Sequence, residues 1–309
     1  MRIFATTCIC LLTLAHPLLA GHRRVVTGDK LMTGDKLVMT GDKSAGMAQD
    51  TSISQDDTVG RNKSAGPGNE FCGNIRNTAF NAGESLTYKV SYVLAGVSLS
   101  GGEATFNTSL EKFQGKNVYH VVAEGKSYHD ILFKVRDKYE TYIDTSTLQP
   151  YKFVRDVNEG GYKTFEDVSF YKSTKTAITN TGTYEVPVCI QDVLSAIFYA
   201  RNIDFSQYKP NDKIPFDMFL DRQVYHLYIR YLGRQTIRTK YGKFRTFKFK
   251  PLLVKGTIFE GGEKMTVWVT DDPNHIAVRV ESPIIVGKVS VDMTWYRNLR
   301  YPLTSLVSL

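Results

Sequence analysis

Most of the short signatures by which an enzyme can be recognised are missing from this 309-residue chain. There is no Gly-x-Ser-x-Gly elbow, so nothing marks an activated serine. No His-Glu-x-x-His and no closely spaced cysteine pair occurs, which argues against a zinc site. A phosphate-cradling glycine loop and a β-α-β alternation are both absent, and with them the nucleotide-binding folds they build. Net charge is only +8 and spread along the chain, without the dense Lys/Arg cluster of a nucleic-acid binder. Nothing in the sequence calls for a cofactor. After residue 20 no stretch is apolar and long enough to cross a bilayer as a helix, so no transmembrane segment is expected in the mature chain.

Cysteine is also scarce, and its placement is informative. Of the four, Cys8 and Cys10 sit in an apolar opening run from Ile3 to Leu14, after Met1-Arg2 and before His16-Pro17-Leu18-Leu19-Ala20. This reads as a secretory signal peptide over 1–20, with a cut before Gly21. An uncleaved anchor would need a longer run without Pro17. A lipoprotein would need its cysteine at the mature N-terminus. Removal of the leader leaves Cys72 and Cys189, which an oxidising compartment favours as a disulfide. The alternative is two unpaired buried thiols.

Residues 21–69 differ from the rest. Thr27-Gly28-Asp29-Lys30 recurs as Thr33-Gly34-Asp35-Lys36 and Thr40-Gly41-Asp42-Lys43, followed by a Ser-, Gly-, Asp-, Gln- and Asn-rich stretch. Such a segment buries too little apolar surface to offset its ordering entropy and is expected to be a disordered tether. The remaining 70–309 is long enough for one well-buried domain.

That domain reads as all-β and mainly antiparallel. Leu86, Tyr88, Val90 and Tyr92 alternate on one face of 85–93, and similar runs follow at 103–110, 117–124, 134–143, 151–157 and 162–171. Further strands are expected over 214–220, 223–232, 235–240, 244–254, 263–270, 276–282 and 288–297. Gly101-Gly102, Gly160-Gly161, Tyr241-Gly242-Lys243 and Gly261-Gly262 read as turns. Within Cys189–Arg201, Ile190, Val193, Leu194, Ile197 and Phe198 fall at helical spacing, with Arg201 suited to the negative end of the helix dipole. So many neighbouring strands with one helix point to a large barrel or half-barrel, which avoids open edges.

Candidate chemistry is thin. His120 and His226 lie on strand faces, His129 at a strand boundary and His275 in a turn, each better read as hydrogen-bonded than catalytic. Cys189 could be a reactive thiol at a helix start, but pairing with Cys72 accounts for it more simply. Arg136, Asp137, Tyr139 and Glu140 belong to an unusually charged strand. Arg136 and Glu140 share one face and Asp137 and Tyr139 the other. Charges on the face that looks inward would line a polar pocket or form buried pairs, and the alternative is a solvent-facing ladder of cross-strand ion pairs. Arg238, Lys240, Lys243 and Arg245 form the most basic stretch, either a patch for an anionic lipid or glycan or a solvated outer face. A change of face near Thr246 suggests a β-bulge there.

Three stretches, Ala82-Gly83-Glu84-Ser85-Leu86-Thr87-Tyr88, Val135-Arg136-Asp137-Lys138-Tyr139-Glu140-Thr141 and Gln191-Asp192-Val193-Leu194-Ser195-Ala196 leading to Tyr199-Ala200-Arg201, resemble the bacterial exported-protein family called domain of unknown function 3108. The resemblance covers about 71–305. It implies an envelope protein with a large antiparallel barrel or half-barrel and carries over no catalytic residue. The leading expectation is therefore a non-enzymatic periplasmic or envelope protein binding an apolar or amphipathic ligand (a lipid, for example), or a glycan or envelope partner. An envelope hydrolase would need facing carboxylates in a cleft, or a Ser or Cys beside a His. A structural assembly factor would need a large exposed apolar patch.

Overall fold

The computed structural model describes residues 70–72, 75–128, 134–254, 261–284 and 287–309. The expected leader, the repeat-bearing segment and the His129-Asp130 pair lie outside them. Among the described residues no helix is long and apolar enough to cross a membrane.

The described chain forms fifteen strands and one α-helix. The first eight strands are β1 Ser85–Leu94, β2 Val97–Phe113, β3 Lys116–Ser127, β4 Val135–Asp144, β5 Pro150–Glu159, β6 Tyr162–Tyr171, β7 Thr176–Thr179 and β8 Gly182–Glu185. Helix α1, Val193–Ala200, separates them from β9 Lys213–Leu220, β10 Gln223–Arg238, β11 Lys243–Pro251, β12 Thr266–Thr270, β13 Ala277–Pro283, β14 Lys288–Arg297 and β15 Leu306–Ser308. All belong to one antiparallel sheet, in the order β8-β7-β6-β5-β4-β3-β2-β1-β14-β13-β12-β11-β10-β9, with β15 on β11.

The sheet curls until its two ends meet. No ladder joins β8 to β9, but Phe170 of β6 and Tyr184 of β8 both pack on Phe219 of β9, with ring centroids 6.1 and 5.6 Å away. Arg155 of β5 also bonds Asp221, just after β9. The edge of β9 is covered by the segment leading to α1. Gln191 N donates to Asp217 O at 2.9 Å, and Phe219 N donates to Gln191 O at 2.9 Å. The result is a half-barrel whose seam is closed by side chains and one crossing segment, leaving little open edge.

Strand alternation does what period two requires. Leu86, Tyr88 and Val90 face the core, with Tyr92 half-buried at the end of the row. Three local readings need correction. Gly101-Gly102 is not a turn, because β2 runs through it. The turn is Ala95-Gly96, both at positive φ as the tight hairpin type demands. Gly101 is instead an extra residue in the β1–β2 register, where an added Cβ would lie 2.5 Å from Cε2 of Tyr92. Residues 223–238 form one strand, not two. The expected bulge falls in that strand rather than at Thr246: Leu232 and Gly233 oppose the single residue Lys248, and Gly233 takes the positive φ.

The helix also differs from its sequence pattern. It begins after Asp192, so Ile190 stays outside. Asp192 Oδ1 accepts from Leu194 N and Ser195 N at 2.8 and 2.9 Å, and Ser195 Oγ accepts from Asp192 N at 2.9 Å. This reciprocal cap satisfies the orphan donors of the first turn. The apolar stripe leaves open a helix packed on the barrel or into it, and Val193, Leu194, Ser195, Ala196, Phe198 and Tyr199 are all buried. A helix buried nearly all round is one enclosed by its barrel. Phe71 stacks on Tyr199 and Phe216, and Cys72 is bonded to Cys189 across 117 residues with Cα atoms 5.1 Å apart. The domain's first residues are thereby fastened beside the helix entrance.

Candidate functional site

Enclosing α1 divides the barrel interior into two unlike halves. One side, under β4 to β6, is polar. Tyr139, Arg155 and Glu166 are direct cross-strand neighbours, and all three are buried. Arg155 Nη2 lies 3.0 Å from Glu166 Oε2 and also bonds Asp221. Asp137, 3% exposed, accepts a 3.0 Å bond from Asn158 N and interacts with the fully buried Glu159. Burial pushes the carboxyl groups of Asp137 and Glu166 above their ordinary range. These carboxyls are sealed inside, so they hold the wall together and do not form an open glycosidase-like cleft.

The other side is apolar. A cavity of about 170 Å³ lies between α1 and the strands β1, β2 and β9 to β13. Val193, Ala196 and Ile197 of the helix face it, opposite Leu86, Phe106, Met218, Phe249, Met265 and Val280. Among the described residues, only Tyr88, Arg201 and His275 bring polar side-chain atoms to its lining.

Arg201 is the C-cap residue of the helix, and its guanidinium is paired with a carboxylate distant in sequence. Its Nη1 and Nη2 donate to Glu84 Oε1 and Oε2 at 2.6 and 2.8 Å, and its Nε donates to Asn274 O at 3.0 Å. The guanidinium sits over the rings of Phe80 and Phe198, 5.3 and 5.2 Å from their centroids. Both charged partners are buried, so the bidentate pair is a closed neutral unit. His275 holds a φ of 46°, and its Nδ1 donates to Arg201 O at 2.7 Å. Burial lowers its pKa, which leaves the ring neutral with Nε2 as an acceptor. Burial beside Glu84 raises the pKa of Tyr88, so its hydroxyl keeps its proton.

The expected site residues lie elsewhere. On β4, Asp137 and Tyr139 turn inward to the polar half, whereas Arg136 is exposed and Glu140 points outward to Lys138 at 2.8 Å and His120 at 3.0 Å. That strand splits the four between its two faces, and none of them lines the cavity. Arg238, Lys240, Lys243 and Arg245 are all exposed on the β10–β11 hairpin, with Arg238 opposite Lys243. His120 is held between Glu111 and Glu140, and His226 is exposed beside Asp217. Among the described residues no group of three His, Cys, Asp or Glu is placed to hold a metal ion.

The three stretches that carry the family resemblance meet in space. Thr141 Oγ1 of the second donates to Asp192 Oδ2 of the third at 2.6 Å, and Arg201 of the third grips Glu84 of the first. They hold the helix inside the barrel, at its start and at its end.

None of the curated proteins matches the chain. Among solved structures it is similar to a β-barrel-like protein of domain of unknown function DUF1849 from Brucella abortus, at 8% identity and a TM-score of 0.46, covering 71% of this chain and 98% of that one. It is also similar to a protein described as exported, with a YmcC-like fold, from Bacteroides fragilis (12% identity, TM-score 0.31, covering 72% and 99%). A protein described as a lipoprotein from Parabacteroides distasonis gives 14% identity and a TM-score of 0.32, covering 72% and 100%. The family model "Protein of unknown function (DUF3108)" matches residues 87–294, which includes most of the barrel, its enclosed helix and the cavity beside it, and the chain belongs to that family.

Proposed function

We propose that this chain is an exported envelope protein that holds an apolar or amphipathic ligand in the cavity beside α1. The observation that carries this reading is the cavity itself, about 170 Å³ with an almost wholly apolar lining among the described residues. A cavity of about 150 Å³ lined by Leu, Ile and Phe stays dry and takes up benzene, so the space here suits a small apolar body or one end of an acyl chain. The leader over 1–20 and the Cys72–Cys189 disulfide support export, since such bonds persist in oxidising compartments.

The test is native mass spectrometry of the protein purified from its own envelope, beside a variant with the cavity filled by Ala196→Phe. The expected result is a small co-purifying apolar adduct on the wild type that is lost in the variant. A wild-type protein that carries no adduct and is not stabilised by any small apolar probe would refute ligand binding.

A further inference from the structure

We propose that the cavity is matched to an uncharged amphiphile, one whose polar end is a hydroxyl or an amide, and that it discriminates against an ionised head of either sign. This inference rests on the ligand-binding reading above and deepens it. Among the described lining residues only Arg201 carries a full charge, and Glu84 already neutralises it through two hydrogen bonds. An anionic head would find no free counter-charge. A cationic head would find Glu84 equally engaged.

What the lining does offer is neutral and complementary. Tyr88 is only 4% exposed, and its hydroxyl has no hydrogen-bond partner among the described residues. That oxygen is not sealed in the wall like the hydroxyl of Tyr139, so a polar group held in the cavity can reach it. His275 supplies the opposite capacity: with Nδ1–H committed to Arg201 O, its neutral ring presents an acceptor at Nε2. The charged groups around that ring are Arg201, Asp204, Asp271 and Asp272. A hydroxyl or amide both donates and accepts, so it can satisfy either group. An ionised carboxylate has no proton to give His275 and must lose its hydration in an apolar space, so it is expected to enter only when protonated.

The test uses the full chain with four six-carbon probes: hexane, 1-hexanol, hexanoate and hexylamine. Binding is read by calorimetric titration at pH 5 and pH 8. Hexane and hexanol should bind within about 3-fold of the same affinity at both pH values. Hexanoate should bind at least about 100-fold more weakly at pH 8 than at pH 5, because only its neutral form enters and its pKa is near that of Glu. Hexylamine, charged at both pH values, should bind at least about 10-fold more weakly than hexanol. Tyr88→Phe should weaken hexanol by roughly 5- to 10-fold and leave hexane unchanged. Hexanoate or hexylamine binding at pH 8 as tightly as hexanol would overturn the head-group inference while leaving the apolar cavity standing. Failure of both hexane and hexanol to bind would instead overturn the ligand-binding reading. Hexane binding to Tyr88→Phe shows whether that variant keeps its cavity, and if it does not fold, the wild-type pH series decides.

Discussion

Replacing Glu84 by Ala removes one half of the buried pair that ties the start of the barrel to the end of its helix. Glu84 is 1% exposed, Arg201 is 6% exposed, and two bonds of 2.6 and 2.8 Å join them. The guanidinium would keep its bonds to Asn274 O and Ala79 O and its position over Phe80 and Phe198, but would lose its counter-charge. Leaving a buried ion unpaired in this way costs about 3–5 kcal/mol, and the surviving bonds place the expected loss near the lower end, about 3 kcal/mol. In a domain of this size that corresponds to a fall in Tm of roughly 6–12 °C. Urea unfolding at low and at high salt is the assay, provided that the transition is reversible and two-state. Because the pair is out of contact with solvent, the loss should be the same at both salt concentrations. Glu84→Leu combined with Arg201→Met should recover most of the stability, since apolar replacement of both partners removes the desolvation penalty. A loss below about 1 kcal/mol, or one that disappears at high salt, would mean that the pair behaves as an exposed ion pair, refuting the reasoning.

Further expectations concern the disulfide, the helix cap and the β1–β2 bulge. Replacing both Cys72 and Cys189 by Ser opens a closure spanning 117 residues and should cost about 4–5 kcal/mol, measured by denaturant unfolding; an unchanged midpoint would show that the bond adds nothing. Burial raises the pKa of Asp192 to about 6, so between about pH 4 and pH 6 the folded chain holds a proton there that the unfolded chain has released. Its contribution is complete below about pH 4 and is lost as pH rises through 6, by on the order of 3 kcal/mol. Asp192→Asn should therefore gain stability relative to wild type from pH 4 to pH 7, and a constant difference across that range would contradict the shift. Gly101→Ala should cost about 1–3 kcal/mol by driving a methyl into Tyr92, and Tyr92→Ala in the same chain should relieve it; equal losses with and without the ring would exclude that clash.

How much could be read locally depended on how local each cause is. Alternation in 85–93 placed Leu86, Tyr88 and Val90 inside because side-chain direction in a strand needs only the strand itself. The helix around Val193–Phe198 was legible from spacing, and its capping residues Asp192 and Ser195 stood three apart, a signal that was there to be found. Two cysteines left after the leader made their pairing the simpler reading, and they are bonded. The family resemblance was legible from three short stretches and is matched over 87–294.

Other features depended on residues distant in sequence. Arg155 meets Asp221 because the sheet curls far enough to bring β5 to the turn after β9, and no property of either strand contains that curvature. Arg201 read as a helix-end charge, yet its partner Glu84 lies 117 positions earlier. His275 read as a turn residue, which it is, but only the fold turns it toward a cavity. The bulge attributed to Thr246 belongs to its neighbour strand, because register is a property of a pair. The sequence by itself determined an all-β barrel class and which face turns inward in strands such as 85–93, since these follow from composition and short-range period. Tertiary structure alone decided that the helix is enclosed, that it separates a sealed polar half from an apolar cavity, and that the cavity's one charge is already neutralised. Each of these depends on how fourteen strands in one path close around eight residues of helix.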